Sequence, residues 1–109
     1  MASDVEYVQH VCDQLRGVGG VSYRKMFGEY AVYVGAKVVA LVCDNQLFVK
    51  PTEAGRDILG APTEGAPYPG ARPHFMVDEH LDDSDLLSAL FRATEAALPP
   101  PKPKKRKRP

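Results

Sequence analysis

Two groups of residues in this sequence have types and spacing that could do chemistry. The first is Lys102, Lys104, Lys105, Arg106, Lys107 and Arg108, six cations within the last eight positions. Positive charge at that density can neutralise several phosphates and release their counterions, which gives salt-dependent, sequence-independent affinity for DNA or RNA. It serves equally well as a solubilising basic terminus. The second group is HFMVDEH, where His74 and His80 flank Asp78 and Glu79. Imidazole and carboxylate are metal ligands, but this spacing matches no zinc pattern, and a histidine within a strand should diverge from one beyond its end. No metal site and no cofactor are expected. Glu79, Asp82, Asp83 and Asp85 are explained by the start of a helix, where caps and negative charge are favoured.

Catalysis finds little support. His10, His74 and His80 fall in different predicted elements, and no nucleophile stands beside a base in a Ser–His–Asp or Cys–His order. Gly17-Val18-Gly19-Gly20 follows a helix and precedes a strand, the wrong order for a loop that cradles phosphate. His10 lies beside an apolar stripe without a second ligand at helical spacing, so it reads as a solvent-facing or half-buried structural histidine. Cys12 and Cys43 read as small buried hydrophobes in a reducing compartment, not as a disulfide or metal pair.

The elements that must position these residues fit one domain of 109 residues, with 44% apolar composition sufficient for a single modest core. No run is long enough to cross a membrane, and MASDVEYVQH lacks the basic and apolar segments of a signal peptide. A cytoplasmic location is expected. The zero net charge conceals an asymmetry. All 14 acidic residues precede position 99 together with only 8 of the 14 basic ones, a balance of −6, while the tail carries the other six cations. Residues 1–98 are expected to fold and residues 99–109, PPPKPKKRKRP, to form an extended solvated tail. An acidic body and a basic tail have different partners.

Ser3 and Glu6 suit a capping box for a first helix, along which Val5, Val8, Val11, Cys12, Leu15 and Val18 form one stripe. Gly17, Gly19 and Gly20 end it. Residues 22–50 are the longest strand-forming stretch. Strands are expected at 21–27, 30–34, 37–43 and 46–50, with turns at Gly28-Glu29, Gly35-Ala36 and Asp44-Asn45. The third is almost wholly apolar, as for a strand covered on both faces. Thr52 caps a short helix with Ile58 and Leu59 on its buried side and Gly60 as its stop. Residues 61–73 hold four prolines and two glycines and read as a long loop that Tyr68 pins to the body. A fifth strand, 74–77, puts Phe75 and Val77 on one face. A last helix follows Asp82, Asp83 and Ser84, with Leu86, Leu87, Leu90, Phe91, Thr94, Ala97 and Leu98 as its stripe.

The block Arg24-Lys25-Met26-Phe27-Gly28-x-Tyr30-x-x-Tyr33, followed by Ala40-Leu41-Val42 and Leu47-Phe48-Val49-Lys50, resembles the N-terminal domain of TfoX/Sxy proteins, bacterial regulators of natural competence. The resemblance covers roughly residues 4–98. It implies an α+β fold of order α-β-β-β-β-α-β-α, an antiparallel meander packed by helices and similar to secretion-chaperone-like folds. Full-length competence regulators carry a second, helical domain where this chain stops. The tyrosine pair and proline usual near the fifth strand appear here as His74-Phe75 and Val77-Asp78. The resemblance brings no catalytic residues with it.

Arg24, Lys25, Tyr30 and Tyr33 form a candidate basic, aromatic interaction surface for a protein partner or nucleic acid. The plainer reading solvates the cations and lets the tyrosines edge the core. The resulting expectation is a non-enzymatic regulatory or adaptor domain that binds a protein partner, its tail contacting nucleic acid and associating with the nucleoid. The alternative is a small-ligand- or metal-binding protein, an enzyme among the options, using a pocket between the sheet and loop 61–73. A homodimer through an uncovered sheet face or edge is a third arrangement.

Overall fold

A computed structural model describes residues 4–26 and 29–99 of the chain. Helix α1 (Val5–Gln14) is capped at Asp4, whose side chain makes no cap hydrogen bond. Ser3, expected as the cap, lies outside the described residues. The Asp4 N–H instead donates to Asn45 Oδ1 at 2.9 Å, so the anchor for this helix start comes from a distant turn. Val8, Val11, Leu15 and Val18 are buried, but Val5 is 41% exposed, and the stripe therefore begins one turn later than its spacing suggests. Positive φ in the turn that follows falls at Gly20. There a Cβ would come within 3.3 Å of the Gly35 backbone nitrogen, which donates to the Gly20 carbonyl.

Strands β1 (Val21–Met26), β2 (Glu29–Val34), β3 (Lys37–Cys43) and β4 (Gln46–Val49) form the expected meander. Glu29 is a strand residue paired with Met26, not part of a turn; Phe27 and Gly28 lie outside the described residues. Gly35 has φ 63° at the β2–β3 turn, and Asp44 and Asn45 have φ 54° and 55° at the β3–β4 turn. These are the residue types that tolerate such values. The register shifts at Val32 and Tyr33, whose partners are Ala40 and Val38, leaving Val39 as an extra residue in β3.

Helix α2 (Glu53–Leu59) is capped by Thr52, whose side-chain oxygen accepts from the Gly55 N–H at 2.9 Å. Loop 61–73 proves not to be structureless. Its residues Thr63–Gly65 form a short edge strand, β5, paired with β6 (His74–Met76), and the sheet has six strands in the order β1-β2-β3-β4-β6-β5. Three residues with a single β-branched side chain, Thr63, give little local signal for such a strand; its partner supplies it. A 3-10 turn (Asp78–His80) leads to helix α3 (Ser84–Ala97), where Asp83 accepts from the Leu86 N–H at 3.1 Å. Leu87, Leu90, Phe91 and Thr94 are buried, Leu86 and Leu98 half-buried, and Ala97 exposed, contrary to its place in the expected stripe. The α+β class and the order of the main elements are as expected.

All three helices gather on one face of the sheet. Val8, Val11 and Leu15 of α1 and Leu87, Leu90 and Phe91 of α3 share one cluster with Val32, Val42, Leu47, Val49 and Phe75, and Ile58 and Leu59 of α2 pack against it. Polar contacts fix the helices in place. Asp78 Oδ1 accepts from the Tyr7 hydroxyl at 2.7 Å and from the Leu47 N–H at 2.8 Å, tying α1 to β4. Lys37 Nζ donates to the carbonyls of Glu95 and Leu98 at 2.8 and 2.9 Å, a cation on the negative end of α3.

Candidate functional site

Alternation along each strand, carried across the ladder by register, assigns every sheet residue to a face. Tyr23, Lys25, Tyr30, Val32, Ala40, Val42, Leu47, Val49 and Phe75 face the helices. Ser22, Arg24, Met26, Ala31, Tyr33, Leu41, Cys43, Phe48 and Met76 face away from them.

The four residues of the RKMFG-x-Y block singled out as one surface are therefore divided. Arg24 and Tyr33 share the helix-free face, with the guanidinium carbon 5.7 Å from the ring centroid. Lys25 and Tyr30 pair on the opposite face. Tyr30 is only 9% exposed and packs edge-on against Tyr23, with 5.7 Å between ring centroids. Adjacent residues in a strand cannot share a face, and the hydrophobic cluster took the parity of Tyr30.

The histidine–carboxylate segment is also dispersed. His74 is buried, and its Nδ1–H donates to the Arg72 carbonyl at 2.8 Å. His80 Nε2 lies 3.6 Å from Glu79 Oε2, and Asp78 is turned to Tyr7 and Leu47. Among the described residues, no three His, Cys, Asp or Glu side chains converge on a point that could hold a metal. His10 is exposed. The tail cations Lys102, Lys104, Lys105, Arg106, Lys107 and Arg108 lie outside the described residues.

What sequence reasoning placed only in outline is a cavity of about 660 Å³ on the helix-free face. Leu41 and Cys43 of β3 contribute to its lining, with Met26 of β1 beside them and Pro67, Tyr68 and Pro69 across from the sheet. Tyr68 of the 61–73 segment lines this cavity while remaining 56% exposed. Glu29 and Asp44 contribute carboxylates, and Glu29 Oε2 accepts from the Asp44 N–H at 3.2 Å. Burial, and then the charges of Glu29 and Asp44, push the Cys43 thiol up from its usual 9.0. A thiol held in its neutral form is a poor nucleophile. The signal for this site lay in β3, where the apolar run was read as burial on both faces. Leu41 is only half-buried because part of that second face lines a cavity.

Residues 13–98 match the TfoX N-terminal domain. Over 107 residues, the chain is 45% identical to a Spirochaeta aurantia protein described as an uncharacterized 12.7 kDa protein in the trpE 5′ region. That alignment covers 98% of this chain and 93% of the relative, so it reaches into the basic tail.

Proposed function

The chain belongs to the TfoX N-terminal domain family, and from that premise we propose that it acts as a non-enzymatic regulatory or adaptor domain that binds a protein partner. The observation that carries this reading is the unequal treatment of the two sheet faces. One is sealed by three helices, and the other presents Arg24 over Tyr33, the 36% exposed Met26 and the 56% exposed Tyr68. A cation on an aromatic ring beside exposed apolar side chains is the composition of a recognition surface. The neutral Cys43 thiol argues against covalent catalysis there. Capture from the native cytoplasm with wild-type bait, Arg24→Glu and Tyr33→Ala is the test. Loss of one partner with both variants, while each keeps its far-UV spectrum, supports the surface; equal capture by all three refutes it.

In this reading the tail cations contact nucleic acid without sequence preference and associate the protein with the nucleoid in the cytoplasm. Mobility shifts with and without residues 99–109, across a salt series, test that part. Binding that is absent at low salt, or indifferent to the truncation, removes it.

A second reading is favoured by the cavity itself, whose volume falls in the range of small-ligand sites. It makes the protein a ligand-binding domain in which the Tyr68 segment and the sheet hold a small molecule. Native mass spectrometry of protein purified from its own cytoplasm tests it, with a stoichiometric added mass expected.

A further inference from the structure

The two edges of the sheet are unlike. At one edge β5 has three residues, Pro62 and Pro67 flank it, and Glu64 is held by Arg56 at 3.0 Å. The other edge is β1, six residues with no proline, no glycine and no break in its register with β2. Among the described residues, β1 has no neighbour on its outer side. A long, regular edge of that kind is a template for another strand.

The phase of the ladder fixes which groups that edge offers. The Gly35 N–H donates to the Gly20 carbonyl at 2.9 Å, one step before the Val21↔Val34 pair. Antiparallel pairs alternate between bonded and non-bonded. Ser22, Arg24 and Met26 are therefore the residues bonded to β2, and the N–H and C=O groups of Val21, Tyr23 and Lys25 point outward.

Side chains then select the strand that fits. Arg24 and Lys25 are exposed on opposite faces, between half-buried Tyr23 and the 36% exposed Met26. Neither cation is ion-paired among the described residues, although residues 1–98 carry a balance of −6. Consecutive residues of an added strand also face opposite sides. Two consecutive acidic residues would set one carboxylate beside Arg24 and the other beside Lys25, with their apolar neighbours beside Tyr23 and Met26, in either strand direction. A second copy fits less well. VSYRKM has no carboxylate, and antiparallel self-pairing about Tyr23 would set Arg24 diagonal to its own copy at about 7–8 Å. The basic tail has the wrong sign.

We propose that β1 accepts an extended segment of a partner protein as a seventh strand, and that this segment reads apolar–acidic–acidic–apolar. Main-chain bonds to Val21, Tyr23 and Lys25 supply affinity, and Arg24 and Lys25 supply selectivity. This rests on the protein-partner reading above and gives that partner a chemistry.

The test is shift titration and amide hydrogen exchange of the full ¹⁵N-labelled chain with three probes: capped Thr-Val-Glu-Glu-Val-Thr, its Gln-Gln counterpart and a thymidine hexanucleotide. The expected result is saturable shifts along β1 with the glutamate peptide. Exchange should slow at the Val21, Tyr23 and Lys25 amides and stay unchanged at Ser22, Arg24 and Met26. The glutamate peptide should bind about fivefold more tightly than the glutamine one, from two exposed ion pairs. Arg24→Gln combined with Lys25→Gln should remove that preference. Equal affinity for the two peptides, or a preference unmoved by the double variant, overturns the acidic assignment. Binding without the alternating protection, or equal shifts with the hexanucleotide, overturns the added strand. Protection that grows with protein concentration alone assigns the edge to a second copy and overturns it as well. Absence of binding by either peptide also overturns it, while the protein-partner reading then stands or falls on the capture experiment with Arg24→Glu and Tyr33→Ala.

Discussion

On the helix side of the sheet, five strands and three helices contribute to a single cluster in which Phe75, Phe91, Leu47, Leu87 and Leu90 are fully buried. On the other side strands β1 to β4 carry exposed Arg24 and Met26, half-buried Tyr33 and Leu41 and a buried Phe48, and Tyr68 between two prolines lines a cavity there. Strand propensity is shared by both sides, so it explains neither. The difference lies in what covers each one. Full burial of a large apolar side chain is worth about 1.5–3 kcal/mol, and that gain is concentrated where the helices lie. The second face is buried less at Arg24, Met26, Tyr33 and Leu41. Burial is thus concentrated on one side of the sheet.

That division can be broken by mutation. Phe91→Ala, which empties a fully buried site in α3, should cost about 3–5 kcal/mol in urea unfolding. Asp78→Ala should cost about 2–3 kcal/mol, because it strands the Tyr7 hydroxyl and the Leu47 N–H that share one carboxylate oxygen. Lys37→Met, which uncaps the Glu95 and Leu98 carbonyls, should cost about 1 kcal/mol. Burial first, and then Asp78, raise the Tyr7 hydroxyl above its usual 10.0. The fold therefore favours the neutral phenol, a contribution fully present below the unfolded value and lost as pH rises above about 10. Burial likewise raises Cys12 and Cys43 above 9.0. Thermal midpoints should fall through this alkaline range, and Tyr7→Phe should flatten the tyrosine part. Tyr68→Ala, at a 56% exposed position, should move stability by no more than about 0.5 kcal/mol. A loss comparable to that of Phe91→Ala would instead make Tyr68 part of the core and erase the distinction between the faces.

The hairpins and helices were legible because local chemistry specifies them. Asp44-Asn45 accepts positive φ, Thr52 and Asp83 cap helices with their own side chains, and the α3 stripe is strongly periodic. Features that depend on distant partners were not. Thr63–Gly65 becomes a strand only beside His74–Met76, and the tie from Tyr7 to Asp78 joins residues 71 positions apart. The four residues of the candidate surface are mixed in parity. Arg24 and Tyr33 do meet, while Tyr30 was claimed by the core. The expected pocket between sheet and loop could be named only in outline, since Glu29 and Asp44 come together through the β2–β3 register and not through any sequence pattern.

The Lys37 contact to the end of α3 also sets the direction in which the chain leaves the domain. Leu98 is held at the first residue of β3, whereas the cavity includes its last, Cys43. Seven strand residues at about 3.3 Å each place the two roughly 20 Å apart. Leu98 and the cavity thus lie toward opposite ends of β3. Contacts made at the Lys37 end of the sheet and at its Cys43 end are therefore separate, and a substitution at one should leave the other unchanged.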